Sequence, residues 1–173
     1  MRTLRFPLLL VSTFLVGCAY PLMEAPARES ASHSSSAPAA STLEGRIFDL
    51  INGERRQHGL QPLEYNGQLD QMAQIQAANM AYYRQMAHVI PEAKLPTLVD
   101  RARSVGYPYG LIAENVALGY PTAETVVNGW MNSRGHRENI LDRGLVETGI
   151  AVRRSRDGGL YYCQVFGHRR TTF

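Results

Sequence analysis

The chain has 173 residues, 45% hydrophobic and 19% charged, which fits one folded domain and excludes a highly charged disordered protein. Its net charge is +3, but Arg2 and Arg5 lie in a segment expected to be removed, and without them 16 Lys and Arg face 15 Asp and Glu, leaving +1. That balance, with no basic stripe interleaved with aromatics, argues against a nucleic-acid partner. The cluster Arg153, Arg154 and Arg156 flanks a turn and reads as a solvated hairpin end.

Arg2 and Arg5 precede an apolar run of 11 residues, Phe6 to Val16, broken by Pro7, Ser12 and Thr13. A bilayer-spanning helix needs about 20 residues, so this run fits a signal peptide over residues 1–17. It ends in Leu15-Val16-Gly17-Cys18, which resembles the bacterial lipobox, where cleavage precedes a cysteine that is then acylated. The chain is therefore expected to be an exported lipoprotein, attached to the cell envelope through lipid (palmitate included) on Cys18. Ala19, in place of an aspartate, favours the outer membrane if the cell has one. Residues 18–41 are rich in Ala, Ser and Pro and too poor in large apolar groups to fold, so they read as a tether.

The folded domain is expected over residues 42–173. Ser41-Thr42-Leu43-Glu44 has capping-box spacing with Ser41 as the cap, and Leu43, Ile47, Leu50 and Ile51 recur on one helical face, ending near Gly59. A second helix is predicted from Gly67 to Met86, with Leu69, Met72, Ala73, Gln76, Ala77 and Met80 inward. A short helix over Thr97 to Val105 should stop at Gly106, and Leu111 to Leu118 reads as extended. Thr122 can cap a further helix burying Val126, Val127, Trp130 and Met131. Ser133 to His136 should break it, with a helical turn following to Asp142. Ile150 and Val152 alternate with small residues, Asp157-Gly158-Gly159 is a turn, and Leu160 to Gly167 is rich in β-formers, so the chain should close with a β-hairpin. Helices followed by a terminal hairpin define an α+β class, a sheet covered by helices.

Several polar positions stand out: His88, the Glu114-Asn115 pair inside an apolar segment, and His136 with Asn139. A carboxylate is costly to bury unless it is paired, so Glu114 needs a partner, either His88 or His136. Each of these residues also has a structural reading: His136 as a helix cap, Asn115 and Asn139 as partners of loop backbone. With Cys18 lipidated, Cys163 has no disulfide partner within the chain and reads as a buried thiol, a reactive one being the alternative. On spacing alone, no metalloprotease, redox or nucleophile-elbow motif is present.

The ordered set of Asn52-Gly53-Glu54-Arg55-Arg56, His88, Ala113-Glu114-Asn115-Val116-Ala117, Gly135-His136-Arg137-Glu138-Asn139-Ile140-Leu141 and Tyr161-Tyr162-Cys163-Gln164-Val165 resembles the CAP superfamily, closest to its bacterial (SCP-like) branch. The resemblance covers essentially the whole folded domain. It implies an α-β-α sandwich with a surface cleft, lined in many eukaryotic members by two histidines and two glutamates able to hold a divalent metal. Here His88 and Glu114 match the first histidine and a glutamate, while Tyr161 stands where the second histidine would be, so one ligand of such a site is missing. His136 belongs to the bacterial-type segment and is expected to face the same cleft, making His88 and His136 the candidate zinc ligands. The expected cleft is therefore His88, Glu114, Asn115, His136, Asn139 and Tyr161.

Three functions are compatible with this set. The first is a monomeric, non-catalytic binding module for a small apolar or polar ligand or an envelope protein, favoured because no nucleophile is recognisable. The second is a metal-assisted hydrolase of peptide or cell-wall substrates using His88, Glu114 and His136. The third is a spacer within the envelope.

Overall fold

The computed structural model describes residues 36–170. The expected signal peptide, Cys18 and most of the expected tether therefore lie outside the described residues. Nine elements follow one another: α1 (Leu43–Gln57), β1 (Glu64–Tyr65), α2 (Gly67–Tyr83), α3 (Leu98–Ser104), β2 (Tyr109–Leu118), α4 (Ala123–Met131), α5 (Arg134–Leu141), β3 (Glu147–Arg154) and β4 (Leu160–Arg169). No helix among the described residues is long and apolar enough to cross a membrane.

The strands form one sheet in the order β1-β3-β4-β2, with β1 parallel to β3 and the remaining pairs antiparallel. The expected hairpin is β3–β4, and its second strand is the centre of the sheet. Residues 161–167 of β4 are buried without alternation, because helices cover both faces there. On one side Leu69, Met72, Ala73, Ala77 and Met80 of α2 pack with Val116, Tyr161, Cys163 and Val165. On the other, Ile47 and Ile51 of α1, Val126 and Trp130 of α4 and Ile140 of α5 pack with Tyr162 and Phe166. This is an α-β-α sandwich, the architecture expected from the sequence.

Helix α2 lies directly on β3. A Cβ at Gly149 would fall 2.0 Å from the backbone nitrogen of Asp70, so only glycine allows this approach. The Asn-Gly-Glu-Arg-Arg segment of α1 serves as a clamp. The Asn52 side-chain amide exchanges hydrogen bonds with the backbone of Leu63 (2.7 and 3.1 Å), and buried Arg55 donates to the carbonyls of Gln61, Ile140, Asp142 and Leu145.

Some boundaries differ from expectation. The cap of α1 is Thr42 and not Ser41: the Thr42 hydroxyl accepts from Gly45 N, while Glu44 is drawn away to accept from Val152 N. Helix α2 ends three residues before Met86, because Arg84 takes a left-handed conformation (φ 54°) and its N–H returns to Met80 O. Only Asn132 and Ser133 separate α4 from α5, so His136 lies inside a helix instead of a break.

Candidate functional site

The edge strand β2 organises the site, because its alternation sends Glu114 and Asn115 to opposite faces of the sheet. Glu114 points into the α2–α3 layer and Asn115 into the α5 layer. Val116 and Ala117 repeat the split, belonging to the two different cores.

On the α2–α3 face the Glu114 carboxylate is nearly inaccessible, its side chain 2% exposed. Its Oε1 accepts from His88 Nδ1 at 2.9 Å, and its Oε2 accepts from Arg101 Nη2 at 2.6 Å. Cys163 Sγ, from the central strand, donates to Oε2 at 3.5 Å. Arg101 is fully buried, and its Nη1 donates to Gln76 Oε1 at 2.6 Å and to Pro96 O at 3.3 Å. Gln76 in turn donates to Ala87 O at 2.5 Å, tying down the loop that carries His88. A chain of polar contacts thus runs from α2 through α3 and β2 to a histidine that emerges at the surface, its side chain 56% exposed.

On the other face, Asn139 of α5 donates to Asn115 Oδ1 (2.9 Å) and to Glu114 O (3.4 Å), and Asn115 donates to His136 O (3.1 Å). These bonds dock α5 against the outer edge of β2 and satisfy a strand carbonyl that no neighbouring strand takes. The half-buried His136 ring lies close enough to His88 to feel its charge.

The two imidazoles are pushed in opposite directions. The hydrogen bond to Glu114 raises the pKa of His88 against the opposing effect of burial. Burial lowers that of His136, and a protonated His88 lowers it further. Burial also pushes the Cys163 thiol well up, so this cysteine is an inert core group.

The structure brings His88 and Glu114 into contact and joins Asn115, Asn139 and the His136 backbone in a second cluster. Tyr161 is 4% exposed, within the α2-side core, and no hydrogen bond among the described residues links it to His88, Glu114 or His136. Arg101 is the residue of the network that the sequence pattern does not single out. Arg101 resembles a solvated charge beside Asp100 and Arg103, yet Leu98, Arg101, Ala102 and Val105 follow the apolar helical spacing, which was the available signal. Gln76 was placed in the core stripe correctly, and its burial is what lets it hold Arg101.

The donor set does not fit the divalent metal that the resemblance implies. Both Glu114 oxygens are engaged, one of them by a guanidinium, and His88 turns Nδ1 toward the carboxylate. Among the described residues no three His, Cys, Asp or Glu side chains converge on a point a metal could occupy.

The three-layer sandwich, with its histidine–carboxylate–arginine network at the sheet edge, has the fold of an SCP-type domain. Consistent with this, the family model for CAP, the cysteine-rich secretory protein family, matches residues 48–166, and the chain belongs to that family. It is 34% identical over 146 residues to the Bacillus subtilis (strain 168) protein described as "Uncharacterized protein YkwD", covering 83% of this chain and 55% of that one. Among solved structures it resembles an extracellular protein containing a SCP domain from Bacillus anthracis (TM-score 0.64, 30% identity, 73% of this chain and 40% of that one). It also shares the fold of an outer surface protein from Borrelia burgdorferi (TM-score 0.68, 22% identity, 77% and 97%). The chain thus spans about half of YkwD and less of the B. anthracis protein.

Proposed function

We propose that this protein is an exported, lipid-anchored CAP-domain binding module that presents His88 and His136 to a small ligand or an envelope partner. Export is supported by the signal-peptide pattern ending at Cys18 and by the extracellular description of the B. anthracis relative.

The observation that carries the non-catalytic reading is the engagement of Glu114. A general base must be free to take a proton, yet both oxygens of this buried carboxylate are bonded, one to Arg101. The nucleophile type nearest the network, Cys163, is fully buried with its thiol pushed up, and so is neither accessible nor ionised. What reaches solvent is an imidazole held in one orientation through its Nδ1, which suits recognition.

One feature favours the hydrolase reading instead. A carboxylate that orients His88 through Nδ1 leaves Nε2 to act as a base, as in triad-type sites. A single comparison separates the two. Wild-type protein and His88→Ala are titrated with soluble peptidoglycan fragments and with envelope lipid vesicles, while mass spectrometry follows the same mixtures for cleavage. The binding module predicts capture that weakens in His88→Ala, with intact probes throughout. Cleavage by wild type that His88→Ala abolishes would establish the hydrolase.

A further inference from the structure

Arg101 sits at a position where stability alone does not explain it. Its guanidinium is completely buried in the α2–α3 layer, and its Nε has no hydrogen-bond partner among the described residues. Burying a charge with an unpaired donor is unfavourable unless another charge compensates. That charge is Glu114, 2.6 Å away, whose other oxygen holds His88. Gln76 and the Pro96 carbonyl fix the remaining nitrogen, Nη1, so the guanidinium cannot swing away from the carboxylate.

We infer that Arg101 is the built-in cation of this site: it occupies on Glu114 the place of a divalent metal and positions His88 through that carboxylate. The chemistry is equivalent in one respect, since a resident positive charge neutralises the buried carboxylate and fixes its orientation. It differs in another, because a guanidinium is a permanent part of the chain and offers no open coordination position. Tyr161, standing where the resemblance places a second histidine, removes a further metal donor. The site is therefore always loaded, and chelators should leave ligand capture unchanged. Arg101 is a positioning residue, acting on His88 through Glu114.

The test uses zinc chloride itself as the probe. Chelator-treated wild type, His88→Ala and Arg101→Ala are titrated by calorimetry, with His88 followed by imidazole NMR. Wild type should show no zinc binding that depends on His88, and its His88 resonances should not respond to zinc. Arg101→Ala frees the carboxylate beside His88, so its zinc affinity should exceed that of wild type by roughly 10-fold or more, the equivalent of about 1.4 kcal/mol. A merely structural arginine would produce no such gain. The inference is overturned if wild type binds one zinc that His88→Ala loses, or if a folded Arg101→Ala gains no affinity. Should Arg101→Ala fail to fold, the comparison of wild type with His88→Ala decides the matter.

Discussion

His88 and His136 have the same intrinsic chemistry, and their surroundings drive them apart. The Glu114 hydrogen bond keeps His88 protonated above the ordinary value of 6.5, so its pairing contributes fully below that pH and is lost as pH rises through the raised value. His136 behaves in the opposite sense. Burial favours its neutral form, so stability erodes as pH falls below 6.5 toward its lowered value. NMR titration of the two rings should therefore show midpoints on either side of 6.5. In Glu114→Gln the His88 midpoint should move down, and in His88→Ala the His136 midpoint should move up as the repulsion disappears. Unmoved His136 resonances in His88→Ala would mean that the two rings do not share a cleft. The histidines and the carboxylate stood out in the sequence because polar groups in apolar surroundings need partners. Arg101 did not, because a charge on a helix is normally solvated, although its spacing puts it on the apolar face with Leu98, Ala102 and Val105.

At the level of elements, amphipathic spacing carried most of the information. The six inward residues expected on the second helix are the six buried residues of α2, and Thr122 caps α4 as its spacing suggested. What spacing could not show was how closely the elements approach one another. The α2–β3 crossing rests on Gly149, where an added methyl would meet helix backbone, which yields far less readily than a side chain. Gly149→Ala should destabilise the domain by about 1–3 kcal/mol through overpacking, read as a lower urea midpoint with the slope unchanged. The helix ends were harder to read. Arg84 stops α2 with a left-handed residue that carries a side chain, a position glycine usually fills, so no local signal marked it. Likewise β1 is two residues long, and its pairing with β3 is visible only in the assembled sheet.

For the whole molecule, the lipid anchor proposed at Cys18 predicts a simple cellular result. Cys18→Ala should fail to incorporate labelled palmitate and should leave the lipid-anchored fraction, with the folding of residues 42–173 unaffected. Retention of the variant as an acylated membrane protein would refute the anchor. The sequence by itself determined the α+β class, the sandwich, the terminal hairpin and the family, because these follow from local periodicity and an ordered set of motifs. It also singled out His88, Glu114, Asn115, His136 and Asn139, because misplaced polarity is a local property. The tertiary structure alone decided what these residues do to one another. Adjacent residues of one strand face opposite sides of a sheet, so Glu114 joined α3 and Asn115 joined α5. The buried cation came from a helix whose charge looked ordinary until the layers closed over it. Pairing between residues distant in sequence depends on how the layers stack, and periodicity along the chain carries no record of that.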